Sequence, residues 1–494
     1  MGICLAEPCP GLRVRDFRKI SKNGFGDGYN AYAYSMAWFN NHLHVGVGRA
    51  NLILLKFAMP FVTIDQWPVD TPHAPYTPEF EAEAARGEIW RLEPVSGAWT
   101  RVYASPMVRG VDGTEMRRHL GFRSMVEFQG TSDRAPALYA ASWSRSKGDG
   151  PELLRSEDGI HFEVMPKLHF RSNMVETPMT AIRILVPFKG RLFTAPTGSS
   201  KGNVNASMSS LIYESSDPAS GEWRCVNGAG FETLKTVATI YEMRPFGDYL
   251  YAGTGGLGGF QIWRTKAEGD PPYHWEKVLD HGAGRGPLNQ GAVAMHVFKG
   301  AMYIGTGIQN GGNDMRYKIG PAAAELLRLW PDGSYEIISG NERDGMKPLS
   351  GMSAGFSNFF AGYLWKMETH DGWLYASTMD WSVILKFSKV GEKPSRIAKI
   401  LAKAGVDEFV EQTGGFELWR SADGVNWVPV SRRGMGNPYN YGGRTLVSTP
   451  HGLFLGTANP FGPNVAQRVK PDAWDWRYVD NPRGGLEIWQ GQRG

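Results

Sequence analysis

The chain has 494 residues, 42% apolar and 21% charged, with a formal net charge of +4. So small a positive balance gives no electrostatic footprint for nucleic acid, and the apolar share suits a soluble protein with a core of its own. Three cysteines, Cys4, Cys9 and Cys225, are too few for a disulfide framework, and the odd count fits a reducing compartment. Residues 1–10 show no basic stretch followed by an apolar run, and the apolar segment Asn51–Val62 is too short to span a bilayer. A cytoplasmic location is expected, with no membrane span.

The first element, Leu12–Ser21, reads as a strand followed by Gly24-Phe25-Gly26. From Leu43 a pattern begins that the chain then repeats. Its fullest form is Leu250-Tyr251-Ala252-Gly253-Thr254, a Gly-rich gap, Gln261-Ile262-Trp263-Arg264, then Trp275-Glu276-Lys277-Val278. It returns as Leu374-Tyr375-Ala376-Ser377-Thr378, Glu417-Leu418-Trp419-Arg420 and Trp427-Val428-Pro429-Val430, and again from Leu138, Leu192, Met302 and Leu453. Short strands recurring every ~45 to 75 residues are the signature of a β-propeller. Second strands from Leu43, Leu138, Leu192, Leu250, Met302, Leu374 and Leu453 predict one all-β domain of seven blades over residues 1–494.

The seventh blade runs short. Its third strand is Gly485-Leu486-Glu487-Ile488-Trp489-Gln490, after which only four residues remain. The fourth strand is expected from residues 12–20, because that segment and its glycines match Val428-Pro429-Val430-Ser431 followed by Gly434-Met435-Gly436. Such closure removes exposed sheet edges. One column supports the alignment: Met36, Met125, Leu185, Met243, Met295, Met367 and Leu446 stand three residues before each first-strand end, and read as core packing.

The turns Arg155-Ser156-Glu157-Asp158-Gly159-Ile160-His161-Phe162 and Arg420-Ser421-Ala422-Asp423-Gly424-Val425-Asn426-Trp427 resemble the Asp-box of the sialidase-like (BNR-type) β-propeller superfamily, one residue shorter in spacing. The box is structural: its Asp caps a hairpin. The resemblance implies a fold and no single activity, because the box recurs in glycosidases, lyases and binding modules.

Five positions before each first-strand end stand Tyr34, Arg123, Arg183, Tyr241, Val293, Trp365 and Arg444. Three arginines and three aromatics in one ring suit a carboxylate or phosphate held by guanidinium forks and a sugar stacked on rings. The sialidase resemblance implies a carboxylate, since sialidases use three channel-mouth arginines for one. The alternative is pairing with acids of adjacent blades. Deeper in, Glu242, Arg244, His296, Lys366 and Glu368 gather charge in one sector, either a salt-bridge network or an acid/base site in which His296 beside Glu242 or Glu368 works as a general base near neutral pH. No cofactor is expected. For a channel metal, only His296 and His370 stand in channel strands.

Long insertions, about 50–86, 309–323, 390–414 and 461–483, fall between second and third strands and so on one face, as lids or binding loops do. Ser395 to Ala404, closed by Gly405, predicts a short helix on the rim or a mobile lid. Two functions follow. One is a hydrolase or lyase acting on an anionic small molecule or glycan at the mouth. The other is a non-catalytic scaffold, favoured by Leu52–Val62 and Trp67–Pro78 as exposed apolar loops for a protein partner or self-association.

Overall fold

The computed structural model describes residues 10–58, 64–172, 175–176, 179–198, 210–228, 231, 239–392, 396–470 and 474–493. Cys4, Cys9, Ser395 and part of the apolar segment 52–62 lie outside them. The chain is mostly β, with 30 strands joined in one sheet system. Its inner strands are β1 (Asn30–Phe39), β2 (His119–Phe128), β3 (Ala181–Phe188), β4 (Thr239–Phe246), β5 (Gly291–Phe298), β6 (Ala361–His370) and β7 (Gly442–Thr449). Each pairs antiparallel with the strand that follows it. Six of these pairs are extended by a third and a fourth strand from the same stretch of chain. The β7 unit differs: its third strand is Ile488–Gly491 and the outer partner is Phe17–Lys19, with Phe17 opposite Gly491 and Lys19 opposite Trp489. That outer strand is shorter than residues 12–20 because Arg13 N–H donates to Asp16 Oδ2 at 2.6 Å and starts a turn over Val14–Asp16. Inner strands touch in chain order, and β7 touches β1.

Second strands such as Ala301–Gly307 and Gly452–Ala458 are buried along their whole length. Both faces are covered by neighbouring sheets, which is why they are rich in small and apolar residues instead of alternating with polar ones. The Met/Leu column is buried throughout, from 1% exposure at Met243 to 8% at Met36.

Four third strands, those of the β1, β5, β6 and β7 units, open on a buried acid: Glu88, Glu325, Glu417 and Glu487. Glu487 accepts from Asn440 Nδ2 at 2.7 Å, Asn437 Nδ2 at 3.1 Å and Trp489 Nε1 at 2.9 Å. Glu88 repeats the bonds with Asn30 and Trp90. Glu325 repeats the one with Asn289. A buried carboxylate is tolerated only when so satisfied, and here it pins the third strand to the entry of the first. The Asp158 and Asp423 turns share one geometry: Asp158 Oδ1 accepts from Ile160 N and His161 N, and Asp423 Oδ1 from Val425 N and Asn426 N, at 2.7–2.8 Å.

Between second and third strands the chain builds α1 (Asn51–Ala58), α2 (Pro78–Glu83), α3 (Arg396–Ala404), α4 (Val406–Thr413) and the hairpin Asn464–Arg468 with Trp476–Asp480. The expected helix at 395–404 is α3, and a second helix follows at once across Gly405 (φ 88°). Where described, the segments 52–62 and 67–78 leave Phe57 exposed but turn other apolar side chains inward. Leu52, Ile53 and Val69 are buried with Phe80, Phe387 and Phe461 in one core. Insertions from three units meet there: Gln66 N donates to Phe387 O at 2.9 Å, Ala466 N to Pro68 O at 2.8 Å, and Arg483 pairs with Glu411 at 3.0 Å. They form one cap, whose core includes Tyr34 of β1 and Tyr441 just before β7.

Candidate functional site

Inner strands β1, β2 and β6 slip register near their start, skipping Ala31, Leu120 and Gly362, and every inner strand slips at one level further along. The residues skipped at that level are Tyr34, Arg123, Arg183 (with Ile184), Tyr241, Val293, Trp365 and Arg444. A bulge takes a residue out of the ladder and re-aims its side chain. The seven slips therefore fall on the column that the strand-end count singles out. Glycines make room for the re-aimed rings: a Cβ at Gly48 would overlap Tyr34, at Gly255 Tyr241, and at Gly442 Trp365.

The three arginines converge. Arg444 lies 5.4 Å from the Tyr34 ring centroid and 5.3 Å from that of Trp365, while Arg123 lies 5.7 Å from Tyr34. Arg183 stacks 4.4 Å from Tyr241 and its Nε donates to Tyr241 O at 2.9 Å. Burial, then the repulsion of Arg183, disfavours the charged form of both Arg123 and Arg444. A guanidinium nonetheless stays protonated in a protein, so the strain is electrostatic. Among the described residues Arg444 has no hydrogen-bond or ion-pair partner, and its buried Nε is unsatisfied.

The cap reaches this layer. Asn51 Nδ2, at the start of α1, donates to the Tyr34 hydroxyl at 2.7 Å, and the hydroxyls of Tyr32 and Tyr441 touch. Tyr363 packs edge-on to Trp365 at 5.5 Å, and Trp143 edge-on to Tyr34 at 6.1 Å. The strand-end count misses Tyr32, Tyr363, Tyr441, Trp143 and Asn51. The overlooked signal is the Tyr two residues before the counted position in both β1 and β6.

Below the arginines, Lys366 Nζ stands 3.9 Å from Glu242 Oε2, with 28% and 16% of the two side chains accessible to water. Arg244 Nε donates to Met295 O at 3.0 Å. Burial raises the Glu368 pKa against the pull of Lys366 and Arg244, and its Oε1 accepts from Thr369 N at 3.0 Å. His296 departs from the expectation of a base near neutral pH. Its Nε2 bonds Thr369 Oγ1 at 2.8 Å, not Glu242 or Glu368. Burial, with Arg244 and Lys366 nearby, pushes its pKa down to about 3. It is a neutral imidazole and a weak base. Among the described residues no group of three or more His, Cys, Asp or Glu side chains is placed to hold a metal, and no helix is long and apolar enough to cross a membrane.

No protein-family model matches the chain and no curated protein matches it. Solved structures similar to it include a β-xylosidase, 13% identical, with TM-score 0.34 over 66% of this chain and 100% of that one. A puromycin-hydrolyzing peptidase of Mycobacterium tuberculosis is 12% identical, with TM-score 0.41 over 96% of this chain and 55% of that one. A β-xylosidase/α-arabinofuranosidase from a compost microbial metagenome is 12% identical, with TM-score 0.31 over 77% and 92%. Superpositions this loose assign neither a fold nor an activity to the present chain.

Proposed function

We propose that the chain is a single seven-bladed β-propeller, completed by its N-terminal strand, that acts as a hydrolase or lyase on an anionic small molecule or glycan at the channel mouth. The observation that carries this reading is Arg444, a guanidinium held between Tyr34 and Trp365 with no direct ion-pair or hydrogen-bond partner among the described residues, Glu242 acting on it only at longer range. Burying an uncompensated charge is costly, and an anionic ligand would supply the missing partner. Arg123, Arg183 and Arg444 hold the anion, and Tyr34, Tyr241 and Trp365 stack on its ring. Arg244 and Lys366 line the wall below. Glu368 and Glu242 are the candidates for proton transfer, Glu368 because burial keeps its proton to a higher pH. His296 is left a positioning role through Thr369. The repeated pairing of four strands, the contact of β7 with β1 and the strand Phe17–Lys19 beside Ile488–Gly491 support the propeller. The cap over Tyr34 and Tyr441 favours a small enclosed ligand over a protein docked on a flat rim.

Thermal melts with glucuronate, inorganic phosphate and neutral glucose, on the wild type and Arg444→Leu, test the reading. The acids are expected to raise the wild-type Tm and glucose is not, with the gain lost in the variant. A variant that melts far lower than the wild type, with no acid moving either protein, would sink it.

A further inference from the structure

Lys366 follows the slipped residue Trp365 on β6, with 28% of its side chain exposed and its amine facing Glu242. The groups acting on it come from every side: Glu242 and Arg244 from β4, His296 from β5, Glu368 from its own strand and Arg444 from β7. Burial and the two arginines oppose a positive charge there, while the two carboxylates favour one. The balance lowers the proton affinity of the amine. A desolvated lysine beside other cations is an activated nucleophile, and Glu242 stands 3.9 Å away to move a proton.

We propose that Lys366 forms an imine with the carbonyl carbon of an oxo acid whose carboxylate rests on Arg444. The inference rests on the anion site above and names its ligand class. The neutral Nζ adds to the carbonyl carbon, and Glu242 relays a proton from nitrogen to the former carbonyl oxygen. Water then leaves from the carbinolamine to give C=N. One amine and one oxo acid yield one imine and one water, with no oxidant or cofactor.

The test is reductive trapping of the full-length protein at pH 7 with glyoxylate and cyanoborohydride, the adducts mapped by mass spectrometry of peptides. Propanal, a neutral carbonyl, is the control. A lowered pKa leaves more of an amine in its free, nucleophilic form at neutral pH, so Lys366 is expected to label faster than any surface lysine. Arg444→Leu should slow labelling by glyoxylate far more than by propanal. Glyoxylate adducts spread over surface lysines, with Lys366 no faster, overturn the proposal. If glyoxylate binds in calorimetry and Lys366 stays unlabelled, the imine falls and the anion site stands. If Lys366 labels as fast with propanal and ignores Arg444→Leu, the amine is reactive and the anion site falls.

Discussion

The guanidinium of Arg444 lies 5.3 Å from the ring centroid of Trp365, stacked but without a direct ion-pair partner among the described residues. Stacking offsets part of the cost of burying the charge, and a ligand anion would offset more. Arg444→Leu is therefore expected to melt no lower than the wild type. It should bind the native anion more weakly by about 1.5–3 kcal/mol, the worth of a charge-assisted hydrogen bond. Paired calorimetric and thermal measurements on the one variant decide it.

Asp380 ends the strand that leads into the cap. It is 1% exposed, its Oδ1 accepts from Ser382 N and its Oδ2 from Asn358 Nδ2, both at 2.8 Å. Burial outweighs these bonds and raises its pKa to about 6, with buried Glu417 pushing the same way. An acid whose folded pKa is raised contributes stability that is fully present below about pH 4 and lost as pH rises through 6. A shift of two units is worth about 3 kcal/mol. Going from pH 7.5 to pH 5, one unit below the folded pKa, Asp380 should therefore add about 1.4 kcal/mol of stability, and Asp380→Asn should remove that contribution from the change in denaturant midpoint. An unchanged pH slope in the variant would show that Asp380 does not titrate there.

Glu487 satisfies Asn440, Asn437 and Trp489, and also accepts from Asn23 Nδ2 at 3.1 Å. Glu487→Leu strands four donors at once. Its expected cost is about 3–5 kcal/mol, the range for breaking a buried charged network, read as a lower urea midpoint at unchanged m-value. Glu487→Gln keeps one acceptor oxygen and should lose less.

Removing residues 1–21 takes away Phe17–Lys19 and bares the edge of Ile488–Gly491. Unpaired edges recruit other chains. The truncated protein is expected to melt lower and to elute as aggregate on gel filtration. A monomer with the wild-type Tm would show that the outer strand is dispensable.

The strand order is readable in the sequence because each hairpin is local and repeats: Leu250-Tyr251-Ala252-Gly253-Thr254 and Leu374-Tyr375-Ala376-Ser377-Thr378 both sit in second strands. The column of Tyr34, Arg123, Arg183, Tyr241, Trp365 and Arg444 is readable for the same reason. The cap is not, because Leu52 and Ile53 find Phe387 and Phe461 only across units, and no local pattern announces such partners. Helix α4 escapes notice because Gly405 gives no side-chain cap and only Val406 and Val410 are buried on it. The neutrality of His296 depends on its burial, with Arg244 and Lys366 on the neighbouring strands, and burial is not written in a pattern of charges.

The seven register slips have a consequence for how such a protein diversifies. A residue inside a ladder is tied to cross-strand partners, so changing it disturbs packing. A bulged residue is released from that pairing, and here every inner strand releases at least one residue at the same level. Val293 occupies the slot in β5 where other strands carry arginine or an aromatic ring, and β5 pairs in the same way. The slots thus act as interchangeable sockets. Relatives built on this frame can take up new ligands by exchanging side chains at those seven places while the sheets beneath stay the same.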